Sequence, residues 1–455
     1  MKKHKRSTFS GKLGFVLSAA GASVGLGNIW RFPYLAAKYG GGIFLLVYII
    51  LALTFGYTLI MAETSLGRMT RKSPVGAFES FGNSHFISIG GWINAIIPIL
   101  IVPYYSVIGG WVIKYLLEYI RGDGAKLAED GYFSAFISDG ASTELCFVLF
   151  CMFTLVIIFA GVRNGVERVS KLMMPVLVVL SVIIAVYSVT RPGALAGVKY
   201  FLVPNPANFS WMTVVTAMGQ MFYSLSIAMG ILITFGSYMK KETSIEGSTK
   251  NVEIFDTAIA IMAGLMIIPA VFAFSGGDPD TLQAGPALMF ITIPKVFANM
   301  GLGTFVSILF FLLVLFAAVT SSIALTESAV STFEDELGWN RRKSTVLVGV
   351  IMIALGSLSS LGYGPLANIR IIGMQFLDFF DFLTNSVMMP VAALMTSLLV
   401  SRVIGIDRME EEILHGEGTF RRKKIFVLMI KYLCPVFTMI ILASSVANAF
   451  GWISM

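Results

Sequence analysis

Uncharged, mostly apolar runs cover most of this chain. About 20 apolar residues in a helix cross the hydrocarbon layer of a membrane. Ten runs contain no Asp, Glu, Lys or Arg, and a Gly-rich eleventh run precedes them. In chain order, they place spans 1 to 11 at 13–30, 39–62, 80–113, 145–162, 172–190, 200–239, 257–277, 296–326, 344–369, 382–401 and 432–455. Because none shows the alternation of a membrane β-barrel, the pattern predicts an all-α membrane protein with about 11 transmembrane helices.

The composition excludes several other classes of protein. Hydrophobic residues make up 56% of the chain and charged residues 13%, whereas a soluble domain carries about 25% charged residues. Soluble, disordered and disulfide-stapled chains are therefore excluded. The first run ends at Trp30 and Arg31 without a small-residue cleavage site, which predicts a retained helix and not a signal peptide. No HExxH pair and no cluster of cysteines occurs in the sequence, so we expect no enzyme chemistry.

Basic residues are unevenly distributed between the two ends of the predicted spans. With the N-terminus inside, the cytoplasmic segments hold 23 Lys and Arg residues and the outside segments hold 7. Positive charge favours the cytoplasmic side. We therefore expect a multi-pass protein of the plasma (cell inner) membrane, with a cytoplasmic N-terminus and the C-terminus outside. The net charge of +7 then reflects loops that face anionic membrane lipid, not nucleic acid.

Span 1 carries residues that interrupt a transmembrane helix. Gly21, Gly25 and Gly27 are followed by the polar Asn28 and the charged Arg31. The glycines could form a close-packing surface between helices. The polar residues beside them favour instead an unwound segment, which would expose carbonyl groups and helix ends to a cavity.

Span 6 contains a matching irregularity, because Gln220, Ser224 and Ser226 occur within an uncharged run. Spans 1 and 6 hold the same place in two sets of five spans. Interrupted helices at equivalent places in two halves point to the binding site of a transporter. We expect one transporter domain that consists of two inverted five-helix repeats and one additional C-terminal helix. The domain would cover 1–455, the two repeats 11–190 and 207–402, and the additional helix 423–452.

Charged residues within the spans are unusual, since each costs about 2.5–3.5 kcal/mol on insertion and marks function by default. They are Arg31, Glu63, Asp256, Glu327, Asp378 and Asp381. The alternative is that they pair with one another or cap helix breaks. The hydroxyl groups of Thr320, Ser321 and Ser322 in span 8 also have two interpretations. They can bond to the preceding helical turn, or they can serve as hard oxygen ligands of an alkali cation.

Together these motifs resemble those of the neurotransmitter:sodium symporters. The resemblance rests on Gly25-Leu-Gly-Asn-Ile-Trp-Arg-Phe-Pro33, Gly219-Gln-x-Phe-Tyr-Ser-Leu-Ser226 and Thr320-Ser-Ser322, and it covers about 7–450. The chain is most similar to the bacterial amino-acid branch, whose members carry leucine, tyrosine or a broad set of hydrophobic amino acids. The resemblance implies symport of Na⁺ with hydrophobic or aromatic L-amino acids by alternating access. It also implies two Na⁺ sites and no organic cofactor.

The resemblance further implies roles for single residues. One Na⁺ would be held by Gly21, Val24, Ala317, Thr320 and Ser321. The other would be held by Ser23, Asn28, Ser224, Asp256 and the carboxylate of the substrate. The substrate pocket would be lined by Ser23, Gly25, Leu26, Gly27, Ile101, Tyr105, Phe222, Tyr223, Ser224, Ser226, Met229, Ser321 and Leu325. The outer gate would be an ion pair of Arg31 with Asp381 above a lid of Tyr105 and Phe222. The inner gate would be Arg6 with Asp335.

Gly25 narrows the expected substrate. Monoamine-carrying relatives place an Asp at this position, whereas a zwitterionic amino acid brings its own carboxylate. An uncharged pocket would leave an ionic side chain without a partner, and Met229 is adaptable. We therefore expect a large aliphatic or aromatic side chain. Because Asp256 supplies a fixed negative charge near the chloride position of animal relatives, we expect transport that does not depend on chloride.

Other functions stay open on the same scaffold. The first alternative is a Na⁺-coupled carrier of an osmolyte or of another small, amino-acid-like solute. A channel and a non-transporting amino-acid receptor are less favoured. The paired helix breaks and the two gates argue against a channel, and the short cytoplasmic loops argue against a receptor that signals through them.

Overall fold

The computed structural model describes residues 6–276, 285–416 and 418–452. Within these ranges the chain consists of helices and their connections and contains no β-strand. Spans 1 to 11 are Lys12–Ser23 with Gly27–Lys38, Gly42–Thr70, His85–Arg121, Gly140–Phe159, Val162–Val189, Trp211–Ser224 with Ile231–Ser237, Ile245–Ser275, Gly303–Leu337, Arg341–Leu361, Phe376–Ile404 and Lys423–Ala449. Shorter helices are Pro74–Glu79, Gly124–Leu127, Tyr132–Ser138, Ala194–Leu202, Pro206–Asn208, Leu288–Ala298 and Ile406–Leu414.

Eleven spans account for the membrane-crossing part of the described chain. Nine are single helices of 20 to 37 residues that are apolar and long enough to cross a membrane. Span 1 is a pair of helices bent by 55° at its break. Span 6 consists of helices of 14 and 7 residues, each too short to cross alone. The prediction of an all-α membrane protein with about 11 spans and with breaks in spans 1 and 6 is confirmed. The division into repeats at 11–190 and 207–402 stays a prediction.

The break in span 6 depends on residues with left-handed backbone geometry. Ser226, Ala228 and Gly230 have φ angles of 52°, 59° and 67°, and this region is costly for residues that carry a side chain. The backbone N–H of Ala228 donates to Glu63 Oε1 at 2.7 Å, and Glu63 is completely buried. Glu63 therefore caps a helix break, as one of the two interpretations of the charged residues anticipated.

Glu327, another charged residue of the spans, has a partner. Its carboxylate accepts from Arg341 Nη2 at 2.5 Å and from the Tyr238 hydroxyl at 2.7 Å. Glu327 is 0% exposed, so this ion pair is shielded from water. A buried carboxylate is tolerated when it is paired and hydrogen-bonded in this way.

Two glycines allow span 2 and the second half of span 6 to cross in backbone contact. A Cβ atom at Gly67 would collide with the carbonyl group of Ile233, and one at Gly236 would collide with the carbonyl group of Thr64. The contact is therefore reciprocal, and each backbone needs the missing side chain of the other. Small residues permit such close crossing where no hydrophobic effect drives helices together in lipid. Span 2 thus fixes the half-helix that follows the break.

We call the side on which span 1 begins the N-terminal face, and the side on which it ends, at Lys38, the opposite face. On the N-terminal face a buried ion pair joins span 2 to the helix Ile406–Leu414. Arg68 Nε lies 2.6 Å from Glu412 Oε1, and the Arg68 side chain is 0% exposed. Arg68 also donates to the carbonyl oxygen of Thr243 at 2.6 Å. The guanidinium therefore ties three parts of the chain together.

Replacing Glu412 with Ala is expected to lower the free energy of unfolding by about 3 kcal/mol, because a buried Arg68 would lose its counter-charge. Replacing the neighbouring exposed Glu411 with Ala is the control and should change it by less than about 0.5 kcal/mol. Unfolding of the purified protein in mixed micelles, followed by tryptophan fluorescence, measures both. Equal losses in the two variants would show that the Arg68–Glu412 pair does not stabilise the fold.

Candidate functional site

Two cavities adjoin at Tyr223, which lines both. The smaller one, which we call the central cavity, has a volume of about 30 Å³ and lies between the breaks of spans 1 and 6. The larger one, which we call the outer cavity, has a volume of about 350 Å³. It extends from Tyr223 to Asp378 and Asn448, which lie where spans 10 and 11 reach the opposite face. The outer cavity therefore forms an approach to the central one.

The central cavity is formed by the two helix breaks together with spans 3 and 8. Its lining residues are Ala22, Ser23, Gly25, Leu26, Gly27, Asn28, Ile101, Tyr105, Tyr223, Ser224, Ser226, Met229, Ile231, Ser321 and Leu325. Every residue predicted for the substrate pocket is among them except Phe222. Ala22 and Ile231 are additional, and so is Asn28, which was predicted only as a Na⁺ ligand. The glycine-rich break of span 1 and the serine-containing break of span 6 are about 200 positions apart in the chain. The fold brings them together around one cavity.

The prediction for Phe222 is corrected by the structure. Its ring packs against Phe55 with the ring centroids 6.0 Å apart, and the residue lines only the outer cavity. Successive residues of a helix point about 100° apart, and this rotation turns the ring of Phe222 toward Phe55 while Tyr223 faces the central cavity. Tyr223 is the aromatic residue between the cavities. A Cβ atom at Gly27 would collide with its ring, which shows how closely the ring approaches the broken helix.

The end of the central cavity at span 1 presents backbone polar groups. The N–H of Leu26 donates to the Tyr105 hydroxyl at 3.3 Å, and the N–H of Gly25 donates to Asn28 Oδ1 at 3.3 Å. A Cβ atom at Gly25 would lie 2.8 Å from Ser321 Oγ and 3.0 Å from the Tyr105 hydroxyl. No side chain fits at Gly25 unless its neighbours shift. The start of the second half-helix thus offers N–H groups and a hydroxyl, which suit a carboxylate.

Asp256 is a completely buried carboxylate beside this end of the cavity. Asn28 Nδ2 donates to its Oδ1 at 2.8 Å, the Ser224 hydroxyl lies 2.9 Å from both of its oxygens, and the Tyr48 hydroxyl donates to Oδ2 at 3.0 Å. Among the described residues no Lys or Arg forms an ion pair with Asp256. A buried charge with hydrogen bonds but without a counter-charge is expensive, so this cluster is suited to a cation.

A second group of oxygen atoms surrounds Ser321. Its hydroxyl lies 3.2 Å from the carbonyl oxygen of Gly21, 3.1 Å from that of Ala22 and 3.4 Å from that of Val24. These carbonyls end the first half-helix of span 1 and carry the negative end of its dipole. The hydroxyl of Thr320 bonds to the carbonyl of Ala317 at 3.2 Å. Of the residues predicted for this cation site, Gly21, Val24 and Ser321 therefore lie together, whereas the Thr320 hydroxyl bonds within span 8.

The predicted outer ion pair is not formed in this structure. Within the described chain, Asp381 accepts from Asn385 Nδ2 at 2.6 Å and from the Tyr104 hydroxyl at 3.3 Å. Arg31 lies over the ring of Tyr223, 5.4 Å from its centroid. Both charged residues line the outer cavity, which separates them. The open cavity is the physical reason why the pair is apart.

The N-terminal face is closed at the predicted inner gate. Arg6 Nη1 lies 2.7 Å from Asp335 Oδ1 and 2.8 Å from Oδ2. The same guanidinium donates to Ser237 at 2.8 Å and to Ser331 at 2.9 Å. Asp335 also accepts from the backbone N–H of Ser73 at 2.7 Å. The central cavity is therefore approached through the outer cavity and closed off from the N-terminal face.

Comparison with known proteins identifies the family. The model of the sodium:neurotransmitter symporter family matches residues 6–124 and 134–451. The chain belongs to this family. It is therefore an integral membrane protein and a sodium-dependent symporter, and its relatives are transporters, not enzymes.

Relatives cover nearly the whole symporter. An uncharacterized sodium-dependent transporter of Bacillus subtilis, YhdH, is 32% identical over 92% of both chains. An uncharacterized sodium-dependent transporter of Haemophilus influenzae is 31% identical over 97% of this chain and 98% of its own length. The crystal structure of MhsT in complex with L-phenylalanine superimposes with a TM-score of 0.87 at 34% identity, over 97% of this chain and all of MhsT.

Some residues of the symporter's site were not anticipated from the sequence. Ala22 contributes a carbonyl oxygen that also accepts from Ser226 Oγ at 2.9 Å, but an alanine in an apolar run carries no signal. Asn385 follows Asp381 by four residues, which places both on one face of a helix. A polar residue at that spacing within span 10 could have identified it as the partner of Asp381.

Replacing Asp256 with Asn is expected to weaken the apparent Na⁺ affinity of the symporter at least about tenfold, about 1.4 kcal/mol, because the buried charge would be lost. A titration of tryptophan fluorescence with NaCl, at constant ionic strength in KCl, measures this affinity. Glu144→Gln is the control, since Glu144 is a carboxylate of span 4 bonded to Ser357 at 2.5 Å and distant in sequence from both helix breaks. Wild-type affinity in the Asp256 variant, or an equal loss in the control, would contradict the assignment.

Proposed function

We propose that this symporter imports hydrophobic or aromatic L-amino acids together with Na⁺. The observation that carries the proposal is the asymmetry of the central cavity. At one end, the N–H groups of Gly25 and Leu26 and the hydroxyl of Tyr105 lie together at the break of span 1, where no side chain separates them. Elsewhere the cavity is lined by uncharged side chains, among them Ile101, Met229 and Leu325. A zwitterion with an apolar side chain matches both ends.

The charge of the cavity supports a substrate without an ionic side chain. Among the described residues that line it, none is Asp, Glu, Lys or Arg. An ionised substrate side chain would lose its water without gaining a partner, which costs several kcal/mol. The structural relative MhsT has been crystallised with L-phenylalanine, which agrees with an aromatic or large aliphatic side chain here.

Coupling to Na⁺ would follow from shared ligands. We infer one Na⁺ at Asp256, Asn28, Ser224 and the Ser23 carbonyl, completed by the substrate carboxylate, and a second at the Ser321 cluster. Because one ligand of the first ion belongs to the substrate, each raises the affinity of the other by the same factor. The fixed charge of Asp256 would balance the bound cations, so that no chloride ion is needed.

Transport would proceed by alternating access. In the described conformation the inner pair Arg6–Asp335 is joined at 2.7 Å and the outer pair Arg31–Asp381 is apart. Reversal of these two states would carry substrate to the N-terminal face. The excess of Lys and Arg on that side supports a cytoplasmic N-terminus and an external C-terminus, and the membrane potential would then drive Na⁺ inward.

A second candidate substrate is an osmolyte or another small, amino-acid-like solute. The small volume of about 30 Å³ bears on this choice, because every organic solute needs the cavity to expand and a small solute needs less expansion than a large side chain. Met229 lines this space and can change rotamer readily. Uptake of a labelled panel that contains phenylalanine, leucine, glycine and betaine into proteoliposomes, with and without a Na⁺ gradient, distinguishes the two.

We expect Gly25→Ala to reduce Na⁺-driven uptake of phenylalanine at least about tenfold, because the added methyl group would lie 2.8 Å from Ser321 Oγ. Gly219→Ala is the matched control, since nothing lies within 4 Å of a Cβ atom there. Both variants should fold, as judged by size-exclusion chromatography and thermal unfolding. Undiminished uptake by the Gly25 variant would exclude this end of the cavity as the carboxylate site.

Replacing chloride with gluconate should leave wild-type uptake unchanged, because Asp256 provides the negative charge. In Asp256→Asn, by contrast, residual uptake should be higher in chloride than in gluconate. Initial rates in proteoliposomes with equal Na⁺ gradients measure both. The chloride hypothesis would be wrong if wild-type uptake fell several-fold in gluconate and that of the Asn variant did not.

A further inference from the structure

Lys431 is a charged residue inside span 11 that the transport site does not use. It lies eight residues after Lys423, where the span begins on the N-terminal face, which corresponds to about 12 Å along a helix. Lys431 is exposed on the outside of the bundle. Within the described chain it has no ion pair or hydrogen bond. A lysine in contact with hydrocarbon is costly unless its ammonium group reaches the headgroup region or an anion.

Arg402 lies on the neighbouring span and is in the same situation. It is exposed, two residues before span 10 ends at Ile404, and no ion pair or hydrogen bond of its side chain is found among the described residues. The π-helical segment Leu399–Ile404, which carries Arg402, packs against the π-helical segment Met429–Leu433, which carries Lys431. The two cations therefore lie on contacting segments of adjacent, antiparallel spans.

The directions of the two helices reduce the difference in depth between the two side chains. Side chains on a helix tilt toward its N-terminus. Span 11 begins on the N-terminal face, so Lys431 tilts toward that face. Span 10 ends there, so Arg402 tilts away from the face and toward the depth of Lys431. Since no protein carboxylate pairs with either cation in the described chain, an anion at the contact of the two segments would meet two cations that lack a protein partner.

Nearby acids are engaged or lie beyond the span. Glu410 forms an ion pair with Lys423 at 2.5 Å and Glu412 with Arg68 at 2.6 Å. Asp407 and Glu411 are exposed on the helix Ile406–Leu414, which follows the end of span 10. None of these carboxylates forms an ion pair with Arg402 or Lys431 in the described residues.

The surface around the two cations is apolar. Val403 is 42% exposed, Leu428 53% and Tyr432 64%. These side chains lie on the same two spans, next to the cations, and would contact acyl chains. A free phosphate ion would have to leave water to reach such a surface, whereas a phospholipid brings its phosphate together with its own hydrocarbon. The surroundings therefore favour a lipid as the source of the anion.

We propose that Arg402 and Lys431 form a binding site for the headgroup of an anionic phospholipid between spans 10 and 11. Lys431 tilts toward the membrane interface, as basic side chains do when they snorkel toward phosphate groups, and pockets of basic residues between transmembrane helices bind anionic headgroups. Arg adds paired hydrogen bonds to phosphate oxygens. The site lies outside the transport pathway, so the proposal does not depend on which substrate is carried.

Native mass spectrometry of the full-length, detergent-purified protein tests the site with phosphatidylglycerol as the probe. Wild type should bind phosphatidylglycerol more tightly than phosphatidylcholine of the same chain length, and inorganic phosphate should not compete. The double variant R402Q/K431Q should bind phosphatidylglycerol about thirtyfold more weakly, given about fivefold per basic contact. R402K/K431R keeps both charges and should bind nearly as wild type.

R342Q/K343Q is the matched control, because Arg342 and Lys343 are exposed on the N-terminal face at the start of span 9 and the variant loses the same charge. It should retain wild-type affinity for phosphatidylglycerol. Thermal unfolding without added lipid should show that all variants are folded. Equal affinity for the two lipids, competition by inorganic phosphate, or an equal loss in R342Q/K343Q would overturn the proposal. Unchanged affinity in a folded R402Q/K431Q variant would do so as well.

Discussion

The polar backbone of two broken helices, held inside a membrane, is the constraint on which the rest of the structure depends. Each unbonded N–H or C=O in the hydrocarbon costs several kcal/mol. Side chains of other spans satisfy these groups: Glu63 accepts from Ala228 N–H at 2.7 Å, Gln220 donates to the Gly27 carbonyl at 3.0 Å and Ser226 to the Ala22 carbonyl at 2.9 Å. Irregular backbone is tolerated here because polar side chains form hydrogen bonds with its N–H and C=O groups.

Not all polar groups at the breaks have enough hydrogen-bond partners. The groups left over are those to which we assign the cations. The Ser321 hydroxyl has one proton for three carbonyl oxygens at 3.1 to 3.4 Å. Asp256 has three donors and no counter-charge in the described chain. Bound cations would improve both clusters, and both clusters include backbone or side chains of the same break in span 1. Binding at either is therefore linked to the geometry of that break, which is the condition for coupling between ligands.

Much of this arrangement could be predicted because glycines and charges are rare signals in an apolar chain. Gly25 and Asp256 identified the break and the buried carboxylate. Phe222 was assigned to the pocket because two adjacent aromatic residues look alike in a sequence. Only the turn of about 100° between successive helical residues decides which of them faces the cavity. The separation of Arg31 from Asp381 had no signal at all. A transporter has the same sequence whether its outer side is open or closed. The sequence therefore does not tell whether this pair is joined in a given conformation.

The two ends of the pathway are held with unequal strength in this conformation. Arg6 bonds to Asp335, Ser237 and Ser331, and Asp335 also accepts from Ser73, so opening the N-terminal face breaks several charge-assisted hydrogen bonds together. On the outer side no ion pair has to break: Arg31 lies over the Tyr223 ring, and Asp381 accepts from Asn385 and Tyr104. Tyr223 lines both cavities, so a substrate in the central one would contact the residue that holds Arg31. In the proposed mechanism, substrate binding would therefore promote closure outside before the inner network yields, and this order would prevent a continuous pore.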